Sequence, residues 1–327
     1  MSSTKAKALV GIAQLQSKSN KLDNLGAVAE CARLAKKVGA SMLFLPECFG
    51  FIGGSAEQTL KEAETSLDES GATKNHESVT EYLNSILIEK EIQKPNVFTD
   101  VSLIDGLRTI ARKSGLWISG GGVHVAGAPK DDETGNQRVY NTHVILDKDG
   151  VVKAAYHKIH LFDVSIPGKV NLRESATTAP GTKVVVCDSP VGKLGLSTCY
   201  DVRFPEMYID LVNQGAEVIL VPAAFTVPTG SAHWHTLLKA RAIESQCYIL
   251  AAAQYGRHNQ KRESFGHSLA VNPWGEILAD AGGFLDEDPS KITTPSLVSC
   301  EIDLELIDTI RQRMPIKMHR SNASFTT

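Results

Sequence analysis

Cys199 is the residue whose position in the sequence points most directly to chemistry. It ends the apolar run KLGLSTC (193–199), which predicts a strand, and the turn-prone YDVRFP (200–205) leads into a helix that begins with Pro205 and Glu206. A side chain there lies at the carboxyl end of a strand and near a helix amino terminus, where open α/β sheets bind ligands and where a thiolate is favoured. The position suits an exposed nucleophile, although a structural role is more common for a single cysteine.

A cysteine needs helpers to attack an unactivated carbonyl: a base, an environment for the oxyanion and a proton source for the leaving group. Glu47 follows the apolar SMLFLP (41–46), where partial desolvation is expected to raise its pKa toward the range of a general base; an ordinary loop glutamate is the alternative. Lys158 lies in the aromatic and apolar YHKIHLF (156–162), where an unpaired ammonium is costly. It is therefore expected to have a partner, unless it reaches the surface.

Other candidates carry less information. Arg203 could bind a substrate carboxylate as a bidentate fork or simply cap the sheet edge. The run Gly120–Gly122 forms neither GxGxxG nor a phosphate loop, so no nucleotide site is expected. Two histidine pairs lack a carboxylate or further histidine at a recognised spacing, so no metal is expected at His157, His160, His233 or His235.

The surrounding pattern predicts the elements that position these residues. ALVGIAQL (8–15) indicates a strand, a helix with apolar helical spacing ends near Gly39, and SMLFLPE (41–47) indicates a second strand. This is a parallel βαβ unit. The order helix then strand recurs at 103–122, and strand, helix, strand recurs at 193–222.

Two segments instead alternate around turns as antiparallel hairpins do, namely 142–156 around Asp-Gly and 267–280 around Pro-Trp-Gly. The sheets are therefore expected to be mixed. Two such sheets stacked face to face and covered by helices would give a four-layer sandwich.

Composition favours one globular unit. The 327 residues include 42% hydrophobic and 22% charged side chains, and 34 basic against 37 acidic residues give a net charge of −3. This charge favours small-molecule or protein partners over nucleic acid or an anionic membrane. The six cysteines form no CxxC pair, and the sequence shows no long apolar segment, so a soluble protein in a reducing compartment is expected.

A polar stretch at about 66–100 interrupts the alternation, and only SVTEYLNSILIEK (78–90) within it is helix-like. We interpret it as an insert in a single domain that spans residues 1–327. It is either a surface excursion or a wall of the substrate site, since long loops in compact domains are often functional.

Three segments together resemble the signature motifs of the nitrilase superfamily of carbon–nitrogen hydrolases. They are FLPE (44–47), YHKIHLFD (156–163) and LSTCYDVRFPE (196–206), in that order. Further matches, including TGSAHW (229–234) and NPWGEILA (272–279), extend the resemblance over nearly the whole chain. They look most like the Nit branch, and especially its deaminated glutathione amidases. The insert is longer than expected from animal members of that branch.

The resemblance implies an αββα sandwich protomer that is usually paired into a homodimer. It implies a catalytic triad of Glu47 as general base and acid, Lys158 at the oxyanion and Cys199 as nucleophile. It marks Glu174 as a supporting carboxylate and the backbone N–H of Tyr200 as an oxyanion donor. It also leaves Arg203, Thr229 and His233 as candidate substrate contacts.

The resemblance further implies a cytoplasmic amidase that needs no metal or organic cofactor, with a mitochondrial location as the alternative. The expected reaction is hydrolysis of deaminated glutathione to 2-oxoglutarate and Cys-Gly through a cysteine thioester, which is metabolite repair. Two alternatives stay open: an ω-amidase acting on 2-oxoglutaramate, and a non-catalytic interaction protein on the same scaffold.

Overall fold

The computed structural model of the protein describes residues 7–68, 75–95, 101–166, 170–284 and 294–321. The strands in these ranges are β1 (Ala8–Leu15), β2 (Met42–Phe44), β3 (Trp117–Val125), β4 (Tyr140–Leu146), β5 (Val152–His157), β6 (Asp163–Ile166), β7 (Val170–Arg173), β8 (Val185–Ser189), β9 (Gly192–Leu196), β10 (Val218–Leu220), β11 (Tyr248–Ala251), β12 (Ala253–Arg257), β13 (Glu263–Phe265), β14 (Leu269–Val271), β15 (Ile277–Asp280) and β16 (Ser296–Ile302). The α-helices are α1 (Lys21–Lys37), α2 (Ala56–Lys61), α3 (His76–Leu87), α4 (Leu103–Ser114), α5 (Pro205–Asn213), α6 (Val227–Ser245), α7 (Leu304–Arg313) and α8 (Ile316–Ser321). Two short 3₁₀ helices cover Glu174–Ala176 and Cys199–Arg203.

Two mixed sheets form the centre of the fold. The first has the order β13-β12-β1-β2-β3-β4-β5, with β16 also paired to β1, and the second has the order β15-β14-β11-β10-β9-β8. Parallel pairs such as β1 with β2 and β9 with β10 lie inside the sheets, whereas the outer pairs are antiparallel. The prediction of mixed sheets is confirmed.

The alternation of side chains along β2 shows how the layers stack. Met42 and Phe44 belong to the core that also contains Leu196 and Leu220 of the second sheet, whereas Leu43 belongs to a separate core with residues of α1 and α4. Because successive side chains of a strand point to opposite faces, the first sheet lies between these helices and the second sheet. Helices α5 and α6 contact β9 and β11 of the second sheet. The predicted αββα order is confirmed.

Local signals in the sequence set the helix ends. The side chain of Asn20 accepts a hydrogen bond from the N–H of Asp23 at the start of α1, and Ser102 does the same for Asp105 at the start of α4. Gly115 ends α4 in a left-handed backbone conformation with φ of +73°. Helix α1 leads into β2, whose carboxyl end is followed by Glu47, and α4 leads into the neighbouring strand β3.

Part of the polar insert lies within the described residues. Helix α3 packs against α1 and α4 and buries Val79 and Leu83 in their core. Residues 69–74 and 96–100 of the insert lie outside the described ranges. The single-domain boundaries and the role of the insert stay predictions. In the described part of the chain, no helix has both the length and the apolar character needed to cross a membrane.

Two buried histidines share the same hydrogen-bond pattern. Nδ1 of His143 lies 3.0 Å from the carbonyl oxygen of Ser197, so His143 of the first sheet bridges to the second, and its Nε2 lies 2.7 Å from the Ser119 hydroxyl. His258 makes the equivalent contacts at 2.8 Å each, to the Ser17 carbonyl and the Ser264 hydroxyl. Because a carbonyl only accepts, Nδ1 carries the proton and Nε2 accepts from the hydroxyl.

We expect the free energy of unfolding to fall when the pH is lowered from 7 to 5.5. Burial lowers the pKa of His143 and of His258 to about 4, against 6.5 for an ordinary histidine. The unfolded chain therefore takes up protons in this range that the folded protein does not, and each histidine costs about 1 kcal/mol at pH 5.5. Urea titrations at the two pH values measure this loss.

His143→Gln is the matched variant, because a glutamine amide keeps a donor and an acceptor but cannot take up a proton. We expect its unfolding free energy to depend less on pH than that of the native protein. Equal stability of the native protein at pH 7 and 5.5 would contradict the assignment of neutral buried histidines.

Candidate active site

Glu47 is positioned by a close approach of its backbone to β3. The N–H of Cys48 donates to the carbonyl of Gly122 at 2.8 Å. A Cβ atom at Gly121 would lie 2.2 Å from the carbonyl oxygen of Pro46, so only glycine fits there. The glycine run that matched no nucleotide motif therefore lets the segment carrying Glu47 lie directly on the neighbouring strand.

Lys158 lies between two carboxylates. Its Nζ is 3.0 Å from Oε1 of Glu47, and 3.0 and 2.9 Å from the two carboxylate oxygens of Glu174. The side-chain amide of Asn141 donates to Oε1 of Glu47 at 2.8 Å, and the N–H of Phe162 donates to Oε2 of Glu174 at 2.7 Å. Lys158 is only 2% exposed and Glu47 only 4%, so these charges are largely shielded from water. Asn141 was not recognised from the sequence.

Charges within this cluster set its protonation. Burial by itself would raise the pKa of Glu47, but the charges of Lys158 and Arg262, with a smaller contribution from the Cys199 thiol, hold it below its usual value. Burial would lower the pKa of Lys158, but Glu174 and Glu47 hold it well above its usual value. Both groups are ionised at neutral pH. The expectation of a raised Glu47 pKa is wrong, because the neighbouring cations outweigh burial.

Cys199 starts its 3₁₀ helix in a left-handed backbone conformation with φ of +51°, which is uncommon for a residue with a side chain. Its N–H donates to the carbonyl of Pro222 at 2.9 Å, which fixes the residue at the end of β10. Burial and then the charge of Glu47 raise the pKa of the thiol well above its usual value, against the opposing effect of Lys158. The resting group is a neutral thiol, so the expectation of a thiolate is wrong.

Asp201 joins the turn that carries the cysteine to the segment that carries the lysine. Its buried carboxylate accepts hydrogen bonds from the Tyr156 hydroxyl at 2.6 Å, from Nδ1 of His160 at 2.7 Å and from the N–H of Thr198 at 2.8 Å. The first two partners lie 45 and 41 residues away in the sequence. No local pattern could therefore identify this aspartate as a positioning residue.

The candidate substrate contacts lie on the 3₁₀ helix and on α6. The guanidinium of Arg203 lies over the ring of Tyr200, 5.5 Å from its centroid, and its Nη2 is 3.2 Å from Nδ1 of His233. Thr229 lies one turn earlier on α6 and shares a 2.8 Å hydrogen bond with Thr226. Tyr200 is in the first turn of the 3₁₀ helix, where N–H groups have no partner inside the helix.

Arg262 is a further charge that the sequence did not single out. It lies between β12 and β13, and its carbonyl accepts the N–H of His258 at 2.9 Å. Its charge is second only to that of Lys158 in lowering the pKa of Glu47 against the effect of burial. Arg262 is therefore a second cation that acts on the site. The segment KRES (261–264) offers two cations, and nothing in its spacing favours one of them.

Comparison with known proteins gives consistent matches over nearly the full chain. The family model described as carbon-nitrogen hydrolase matches residues 9–312. The deaminated glutathione amidase of Dictyostelium discoideum is 39% identical over 312 residues, which cover 95% of this chain and 93% of that protein. The nitrilase and fragile histidine triad fusion protein NitFhit of Caenorhabditis elegans is 38% identical over 97% of this chain, which spans only 61% of the fusion protein.

Comparison with solved structures gives matches of the same kind over nearly the full chain. The crystal structure of the C. elegans NitFhit protein matches with a TM-score of 0.77 at 37% identity, over 99% of this chain and 67% of that one. Saccharomyces cerevisiae Nit3, described as a member of branch 10 of the nitrilase superfamily, matches with a TM-score of 0.73 at 27% identity, over 97% of both chains.

We expect Asp201→Asn to destabilise the protein by about 2 kcal/mol, because the amide nitrogen would face a hydrogen-bond donor in a buried position. The cysteine turn should then lose its fixed position relative to the lysine segment. Thermal and urea unfolding measure the loss. Asp188→Asn is the control, since the Asp188 side chain is 91% exposed and its change should leave stability unaltered. Equal stability of the two variants would contradict the role given to Asp201.

Proposed function

Since this chain belongs to the carbon–nitrogen hydrolase family, we propose that Glu47, Lys158 and Cys199 form a catalytic triad that hydrolyses a linear amide through a thioester. The observation that carries the proposal is the buried ammonium held by two carboxylates beside a neutral thiol. It supplies a base, a cation for the oxyanion and a nucleophile in one place.

In the first step the thiol proton passes to Glu47 while sulfur bonds to the amide carbonyl carbon. The carbonyl oxygen becomes an oxyanion, which Lys158 and the N–H of Tyr200 stabilise. The negative charge thus moves from Glu47 to the oxyanion, and the buried cluster gains no net charge. This supports direct transfer from the neutral thiol, because creating an extra buried charge would be costly.

In the second step Glu47 gives the proton to the leaving amine, the C–N bond breaks and a thioester remains. Glu47 then takes a proton from water, whose oxygen attacks the thioester carbon. Collapse of that intermediate releases the acid, and Glu47 returns a proton to the sulfur of Cys199. Glu174 keeps Lys158 in place throughout. The sum is one amide and one water converted to one acid and one amine.

We propose deaminated glutathione as the substrate, with 2-oxoglutarate and Cys-Gly as products, because the relatives named above include a deaminated glutathione amidase of nearly equal length. This substrate is anionic. The cations Arg262 and Arg203 support binding of its carboxylates, and His233 and Thr229 lie beside Arg203 as further candidate contacts.

We also propose a cytoplasmic homodimer, with the mitochondrion as an alternative location. All six cysteines are free, which is typical of reducing compartments. The exposed apolar side chains of Ile243, Trp274 and Ile277 support a contact between copies.

The function is tested by measuring the turnover of deaminated glutathione and of 2-oxoglutaramate in parallel. The release of 2-oxoglutarate is the measured signal in both assays. We expect much faster release from deaminated glutathione. We also expect Cys199→Ala to lower turnover by at least about 10³-fold, more than the loss of one oxyanion donor, without changing the thermal melting curve.

Each other outcome has a definite meaning. Preference for 2-oxoglutaramate would make the protein an ω-amidase. No release from either amide would support the interaction-protein alternative. A Cys199→Ala protein that retains most of its activity would rule out the thioester mechanism.

We expect Arg262→Gln to raise KM for deaminated glutathione by about 10- to 100-fold, the range for a hydrogen bond to a charged group. Because the substitution also removes a charge that lowers the pKa of Glu47, the acid limb of kcat/KM should move to higher pH. Steady-state kinetics across pH measure both effects.

Arg257→Gln is the matched control, since Arg257 is an exposed arginine in the same hairpin and is paired with Glu263 at 2.7 Å. It should change neither KM nor the acid limb. If Arg262→Gln behaves like Arg257→Gln, Arg262 does not contact the substrate.

A further inference from the structure

Three potential metal ligands meet at a point where α6, the β13–β14 turn and β15 come together. His235 lies on α6, His267 lies in the turn and Asp280 ends β15. One nitrogen of each histidine and one carboxylate oxygen lie within 4.8 Å of one another. These residues lie on elements different from those that carry Glu47, Lys158, Glu174 and Cys199.

The separations of the Asp280 carboxylate from the two histidine nitrogens are close to those between ligands in a metal coordination shell. Oδ2 of Asp280 is 3.0 Å from Nε2 of His235 and 3.1 Å from Nδ1 of His267. Ligands about 2.0–2.1 Å from a tetrahedral zinc ion are separated from each other by about 3.3 Å. The distances from Asp280 to the two histidines are thus already close to the separations that an ion requires. Two imidazoles and a carboxylate are a donor set that suits zinc and similar divalent metals.

The site is held in place before any ion binds. His267 has a left-handed backbone with φ of +57°, which is uncommon for a residue with a side chain and occurs preferentially at functional positions. Its carbonyl accepts the indole N–H of Trp234 at 2.9 Å, and its N–H donates to the carbonyl of Gly282 at 2.9 Å. The N–H of Gly282 in turn donates to Oδ1 of Asp280 at 2.9 Å.

The remaining face of the cluster is open to solvent. The side chains of His235 and Asp280 are 33% and 26% exposed, and that of His267 is 12% exposed. An ion can enter from this side, and water can complete its coordination.

We propose that His235, His267 and Asp280 bind a divalent transition-metal ion of the zinc type at a site separate from the proposed catalytic cluster. The sequence analysis expected no metal at His235, because Asp280 is 45 residues away and no recognised spacing links the two residues. The other three histidines considered as ligands in the sequence have different partners: His157 bonds to Thr142, His160 to Asp201 and His233 to Arg203.

Such an ion would link α6 to β15, the edge strand of the second sheet. The same helix carries Thr229 and His233, so the ion would also fix the helix that bears two of the candidate substrate contacts. The inference does not depend on the amidase proposal, since its test measures metal binding directly.

The test uses the full chain with the Cys199→Ala substitution, so that the site thiol cannot bind the added metal. Protein freed of metal by chelation is titrated with ZnCl₂ in competition with a chromophoric chelator, and separately with CoCl₂ while the visible absorption of the bound cobalt is recorded. We expect one equivalent per chain and a cobalt spectrum typical of nitrogen and oxygen ligands.

His235→Ala and Asp280→Asn should each weaken zinc binding at least tenfold and abolish the cobalt spectrum. His233→Ala is the matched control on the same helix and should leave both unchanged. Far-ultraviolet circular dichroism verifies that each variant is folded.

Two results would overturn the proposal. One is the absence of stoichiometric metal binding to the Cys199→Ala protein. The three residues would then only form hydrogen bonds that link α6, the β13–β14 turn and β15. The other is binding that survives in both folded variants, which would place the ion elsewhere.

Discussion

The burial of Lys158 between Glu47 and Glu174 is the constraint on which the rest of the site depends. Three charges with little access to water are costly unless each is paired and hydrogen-bonded. Here the ammonium contacts oxygens of both carboxylates, and Asn141 and the N–H of Phe162 bind the carboxylates from the other side. The ends of β2, β4 and β5 must therefore stay in fixed relative positions, because a shift of one would leave an uncompensated charge.

Contacts outside the charged cluster keep the cysteine in register with it. Asp201 is bonded to the strand end that leads into Lys158 and to the residue before Cys199, so one carboxylate fixes both segments. Gly121 allows the backbone that carries Glu47 to approach β3 closely. The site is thus built from contacts between elements of the two sheets, and the stacking of those sheets is a requirement of the chemistry as well as of the hydrophobic core.

The sequence predicted those parts that local patterns encode. The helix–strand alternation and the two hairpin patterns predicted mixed sheets in layers, and three short motifs predicted Glu47, Lys158 and Cys199 as a set. Asn141, Asp201 and Arg262 could not be predicted, because their partners come from distant parts of the chain. The protonation states were predicted wrongly for the same reason. Burial was foreseen for Glu47, but the opposing charges of Lys158 and Arg262 were not.

The neutral resting thiol also explains how the proposed nucleophile could be both buried and selective. A free thiolate beside Glu47 would place two negative charges together in a position with little water, and the raised pKa of Cys199 reflects that cost. When an amide carbonyl lies beside Lys158, the charge can move onto the carbonyl oxygen instead, so proton transfer becomes favourable only with substrate bound. General thiol reagents form no such oxyanion when they react with the sulfur, so they do not favour this proton transfer. Slow labelling of Cys199 would therefore be compatible with an active enzyme, and turnover, rather than thiol reactivity, is the informative measure of this site.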